Sequence, residues 1–204
     1  MTDKSKKQFR RDQIRQRQRR NQTTSRLIFT TVAVVVVGLV GYLLFPSGGP
    51  DAPEGDVGQS VQTMPDSGHV EEGTDVDYNT DPPTSGPHYG GTLPAGFYNP
   101  GDINVLFPES YIMHSQEHGY VVFWYNCTVL DAAGCEQLKA EIQAVLERVG
   151  TNKVIVFPWS SIQEPLVMTS WGQILRFNTF DADLAVDYVM ANRSHPRAPE
   201  PFVD

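Results

Sequence analysis

Five histidines, His69, His88, His114, His118 and His195, are the side chains of this chain best suited to hold a metal ion or move a proton near neutral pH. Two of them stand four residues apart in Met113-His-Ser-Gln-Glu-His-Gly119, with the carboxylate of Glu117 between them. On a helix that spacing puts both imidazoles on one face. A third, His88, closes the string Pro82-Pro-Thr-Ser-Gly-Pro-His88, where Pro87 and Tyr89 on either side leave the ring little entropy to lose on binding. Imidazoles and a carboxylate carried on turn-rich segments suit a transition metal. The candidate ligands are His88, His114, Glu117 and His118, with His69, Met113 and Met168 as further candidates. The thioethers would favour copper, above all its reduced form, whereas Glu117 would favour zinc, so the ion expected is copper or zinc.

Other chemistries fit less well. His114-Ser-Gln-Glu-His118 has the H-x-x-E-H spacing of inverted zinc peptidases, in which two His hold zinc and the Glu is the general base. That reading needs a helix through both His. Here Gly119 and a strongly β-forming run follow at once, and the segment is expected to be a turn leading into a strand. A small metal-dependent hydrolase with Glu117 as base is the weaker enzymatic alternative. Serine hydrolysis from Ser85 or Ser115 lacks a Gly-x-Ser-x-Gly elbow. The non-catalytic alternative is a protein-interaction module in which the histidines are hydrogen-bonded structural groups and the two methionines fill the core.

The elements that must position these residues are read from periodicity. Residues 120–125, Tyr-Val-Val-Phe-Trp-Tyr, have the β-branched and aromatic density of a buried central strand. Residues 154–157, 166–168 and 174–177 read as further strands, and 75–78 as a short one. From 136 to 149 the apolar residues Leu138, Ile142, Val145, Leu146 and Val149 line one helical face, and Gly150 stops the helix. Asp181 is placed to cap a last helix whose Leu184, Ala185, Tyr188 and Val189 face inward. The expected fold is α+β, a single domain with a central sheet covered on one face by about two helices.

Charge and hydropathy divide the chain. Residues 1–26 carry ten Lys or Arg against Asp3 and Asp12, a net of +8, which leaves −16 for the remainder of a chain of net charge −8. Residues 27–45 are uncharged and rich in Val, Leu, Ile and Phe, the length a helix needs to span about 30 Å of hydrocarbon. The expectation is a basic cytoplasmic tail (1–26), an uncleaved transmembrane helix (27–45), a flexible Gly/Pro/Ser/Asp linker (46–67) and an extracytoplasmic domain (68–204). The partner is then the lipid bilayer through 27–45. Attraction to anionic lipid accounts for the basic tail, and nucleic acid is not expected. Cys127 and Cys135, the two cysteines, fall in the exported part, where a disulfide is the default.

Several strings together, Gly68-His-Val, Asn79-Thr-Asp-Pro-Pro-Thr-Ser-Gly-Pro-His88, His114-Ser-Gln-Glu-His-Gly119, Met168-Thr-Ser-Trp-Gly172 and Ala198-Pro-Glu200, resemble the family known as domain of unknown function 3105. The resemblance covers nearly all of 68–204. It implies a membrane-anchored or secreted bacterial domain and names no reaction. Because the matching strings coincide with three histidines and Trp171, it also implies a shared site built from the Pro-Pro-Thr loop, the His-x-x-Glu-His segment and the Trp-Gly segment, with Tyr89 and Trp171 as walls.

Overall fold

The computed structural model describes residues 57–65 and 68–203. Along these the elements run β1 (Gln59–Ser60), β2 (His69–Val70), β3 (His88–Tyr89), β4 (Gly96–Phe97), α1 (Pro108–Glu117), β5 (Val121–Tyr125), a 3₁₀ turn (Cys127–Val129), α2 (Ala132–Val149), β6 (Val154–Pro158), β7 (Leu166–Ser170), β8 (Gln173–Phe177) and α3 (Ala182–Asn192). The tail and span expected at 1–45 lie outside the described residues, and no helix within them is long and apolar enough to cross a membrane.

A mixed six-stranded sheet has the order β1-β8-β7-β5-β6-β4, parallel at β5/β6 and β6/β4 and antiparallel elsewhere. All five residues of β5 are buried, because the strand is central and both faces are covered. Its side chains alternate. Val121, Phe123 and Tyr125 pack with Leu138, Ile142 and Val145 of α2 and Ala185, Tyr188 and Val189 of α3. Val122 and Trp124 point the other way, into a second core with Ile112 of α1, Ile155 and Val167. The buried indole of Trp124 donates from Nε1 to Thr169 Oγ1 at 2.7 Å, so its one polar atom is satisfied. Each buried Leu, Ile or Val of α2 contributes roughly 1.5–3 kcal/mol of transfer free energy. The Asp131 carboxylate caps the start of α2 by accepting from Gly134 N at 2.7 Å, and Gly150 ends it at φ +75°, its N–H donating to Leu146 O. Asp181 caps α3, accepting from Asp183 N and Leu184 N. Leu184 itself is exposed, and Val186 takes the inward place.

Two helices therefore cover one face of the sheet as expected, but a third, α1, lies on the other face, where the sequence pattern indicated a turn. Pro108 opens α1 with a φ already suited to a helix. Gly119 closes it at φ +80° in a double hydrogen-bonded cap, with Gly119 N donating to Gln116 O at 2.9 Å and Tyr120 N to Ser115 O at 3.1 Å. Residues Ile112 to Glu117 are all buried, so α1 carries no polar stripe to reveal its period.

Two smaller expectations are corrected. Residues 75–78 form no strand. Part of the expected linker belongs to the fold: β1 pairs with β8, Val61 N donates to Gly172 O at 2.9 Å, and Val57 packs against the core. The expected disulfide joins Cys127 and Cys135, with Cα atoms 5.1 Å apart, and ties the 3₁₀ turn to the first turn of α2.

Candidate metal centre

The Pro-Pro-Thr-Ser-Gly-Pro loop is irregular and yet tightly held. Asp81 Oδ1 accepts from Trp159 Nε1 at 2.7 Å and from Ser161 Oγ at 2.9 Å, while Asp81 O accepts from Arg176 at 2.7 Å. Thr84 O accepts from Gly172 N at 2.8 Å, and Tyr78 donates its hydroxyl to Pro87 O at 2.9 Å. Burial pushes the Tyr78 phenol up to about 12, which keeps it a donor. These contacts fix β3, and β3 pairs in parallel with β2 in a register that sets His69 beside His88.

From α1, His114 and Glu117 project towards the same place. His69, His88, His114 and Glu117 each offer a ligand atom, and these atoms all lie within 4.8 Å of one another. The imidazole centroids stand 5.1 Å apart for His69 and His88, 4.8 Å for His69 and His114, and 4.9 Å for His88 and His114. Donors bound to one ion at about 2.1 Å sit roughly 3–4 Å apart, a distance that small side-chain rotations reach from here. His88, His114 and Glu117 are buried and His69 is exposed, so the group is closed underneath and open at His69.

Backbone carbonyls set the tautomers. His88 donates from Nδ1 to Gly86 O at 3.0 Å and His114 donates from Nδ1 to Tyr89 O at 2.9 Å. Each ring is thereby left with Nε2 as its free nitrogen, the tautomer that outer partners impose on metal-binding histidines. Burial lowers the pKa of His114, and His88, His118 and His69 lower it further. Its neutral, ligand-competent form therefore persists to lower pH than in an ordinary imidazole. His88 Nε2 faces Glu117 Oε2 at 3.1 Å. Two acceptors at that separation require a cation between them, either a proton or a metal.

A family model described as Protein of unknown function (DUF3105) matches residues 69–203. The chain belongs to this family. Comparison with curated proteins and with solved structures gave no match in either. The matched stretch of the DUF3105 domain runs from the first histidine of the group to the end of the described residues.

The other expected site residues fall out differently. His118 caps α1 and leaves the first group. Its ring stands 4.8 Å from that of His114, but its Nε2 faces Glu200 Oε2 at 3.6 Å, in a second set made of Glu117, His118 and Glu200. The helix that the zinc-peptidase spacing requires does exist, yet its two histidines belong to different groups. Met168 points into the core on the α2/α3 face, with Phe123 and Leu166. Met113 packs with Trp171 and Ala198 as apolar backing. Trp171 lies edge-on to His88, with centroids 6.5 Å apart, and walls the site. Tyr89 turns its ring away onto Tyr111 and serves the site through its carbonyl. Ser85 Oγ accepts from Met64 N, and Ser115 Oγ bonds the backbone of Leu93, so both hydroxyls are structural.

Sequence reasoning did not assign roles to the carbonyls of Gly86 and Tyr89 or to Glu200. The carbonyls leave no signature in residue type. For Glu200 the signal was the Ala198-Pro-Glu200 string, and for α1 it was Pro108 followed eleven residues later by Gly119.

Proposed function

We propose that this DUF3105 domain binds a divalent transition-metal ion, zinc or copper, through His69, His88, His114 and Glu117. It does so on the extracytoplasmic side of a membrane to which residues 27–45 anchor it. One observation carries the reading. Two buried imidazoles have their Nδ1–H groups pinned on main-chain carbonyls, and the Nε2 of one, His88, stands 3.1 Å from the buried Glu117 carboxylate, with ligand atoms of His114 and His69 within 4.8 Å. A set of three imidazole nitrogens and one carboxylate oxygen suits Zn(II) and Cu(II), and it lacks the sulfur that would select Cu(I). The location rests on the uncharged stretch 27–45 and on the change from +8 before it to −16 after it.

The test is metal analysis of the full chain, purified in mild detergent without a His tag, offered zinc or copper and then dialysed. Bound metal is expected in the wild type. The variant carrying both His88→Ala and His114→Ala should lose it. His69→Ala, at the exposed lip, should fold normally and bind at least tenfold more weakly. Undiminished binding in all variants would refute the reading.

A further inference from the structure

The second ligand set lies against the first. Glu117 belongs to both, and Glu117, His118 and Glu200 bring their ligand atoms within 4.8 Å of one another. Glu200 is held there by more than its side chain. Its N–H donates to Glu117 O at 3.0 Å, and Ser194 N donates to Gly119 O at 2.8 Å. Gly119 admits this close approach because a Cβ there would stand 2.8 Å from Ser194 Cα.

The donor set is suited to a cation. Glu117 and Glu200 are brought together, and their ion-pair partners among the described residues are the imidazoles of His88 and His118. The nearby lysine does not neutralise them. Lys153, 5 % exposed, donates from Nζ to His118 O at 3.1 Å, Pro201 O at 3.1 Å and Val203 O at 2.7 Å. An ammonium has three protons, and all three are spent on carbonyls. The Lys153 ammonium thus holds the 200–203 segment in place, while two carboxylates and an imidazole keep their ligand atoms within 4.8 Å of one another. A carboxylate shared between two ligand sets is the arrangement of a two-metal centre, whose ions sit about 3.5–4 Å apart.

We infer that the site binds two divalent ions: one on His69, His88, His114 and Glu117, the other on Glu117, His118 and Glu200, with the Glu117 carboxylate bridging them. The inference rests on the single-ion reading above and extends it.

The test uses the full chain. Zinc stoichiometry is measured by titration, and electron paramagnetic resonance is recorded on the Cu(II)-loaded protein. The wild type should bind two equivalents, and its copper signal should integrate to well below the copper content because bridged Cu(II) ions couple. Glu200→Gln and, independently, His118→Gln should each bind one equivalent and give a signal that integrates fully, with unchanged thermal unfolding of the metal-free protein. Glu200 is half-exposed, so its replacement leaves the fold intact. One equivalent in the wild type, lost with His88→Ala and His114→Ala, would overturn the second site and leave the first standing. Two equivalents that persist in both Glu200→Gln and His118→Gln would overturn the placement. No bound metal would overturn both readings.

Discussion

Gly119 is the residue on which the end of α1, the entry to β5 and the seat of the 194–201 segment all depend, and Gly119→Ala should be costly in a way that can be calculated. At φ +80° an L-residue pays about 1–2 kcal/mol relative to glycine. The added methyl would also stand 2.8 Å from Ser194 Cα and 3.2 Å from both Pro201 Cα and Pro201 O, all main-chain atoms that no rotamer change can move aside. Overpacking of that kind costs about 1–3 kcal/mol. The expected loss is therefore about 2–5 kcal/mol, a large share of the 5–15 kcal/mol typical of a domain. With a urea dependence of about 2 kcal/mol per M, the unfolding midpoint should fall by about 1–2.5 M. Gly73→Ala is the matched control, since Gly73 has φ +89° with nothing within 4 Å of the added carbon and should pay the conformational part alone. Zinc titration gives an independent reading: the clash parts Glu200 from Glu117, so the folded variant should bind one equivalent fewer. A midpoint no lower than that of Gly73→Ala would refute the claim that this turn is clamped against the C-terminal segment.

Thr169→Val removes the acceptor of the fully buried Trp124 indole and should cost about 1–3 kcal/mol in denaturant unfolding; an unchanged midpoint would count against that bond. Glu109, in the first turn of α1, has its pKa raised by burial, with Asp75 and Asp81 adding to the effect. Because the folded value lies above the unfolded one, its contribution to stability is present at low pH and is lost as pH rises through the folded value. Glu109→Gln should therefore raise stability at pH 7, with the gain vanishing as pH falls towards 4, and a gain independent of pH would contradict this. Asp81→Ala removes the acceptor of Trp159 Nε1 and Ser161 Oγ and should cost about 1 kcal/mol. Amide exchange at 82–88 should accelerate with it, and unchanged exchange there would show that the loop is held by other means.

What the sequence revealed follows from where water is. The helices α2 and α3 border solvent on one side, so Leu138, Ile142 and Val145 repeat at helical spacing, and Asp131 and Asp181 cap as side-chain chemistry dictates. The central strand β5 declares itself through unbroken Val, Phe and Trp. The helix α1 borders protein nearly all round, and polar residues such as His114, Gln116 and Glu117 are buried on it, which erases the apolar period that would mark it. The edge strand β1 is two residues long in a Gly-rich stretch and makes its ladder through the main chain, which residue types do not report. At the site, His88, His114 and Glu117 stood out by type as candidate ligands, and the fold brings them together. The exchange of His118 for His69 depended on parallel pairing between two two-residue strands, which only the folded chain displays.

The anchoring of the Pro-Pro-Thr loop sets an order of assembly. Asp81 takes its hydrogen bonds from Trp159, 78 residues on, and from Arg176, 95 residues on, at the ends of strands that must already be paired. Closing loops of that length is entropically slow, and it is rewarded only once the sheet exists to receive them. The histidines are therefore expected to gather only once the sheet has formed, unlike the ligands of a zinc finger. The grouping of these side chains thus belongs to the assembled sheet and not to any local stretch of chain, so an ion offered to the folded domain should meet a preformed set of donors.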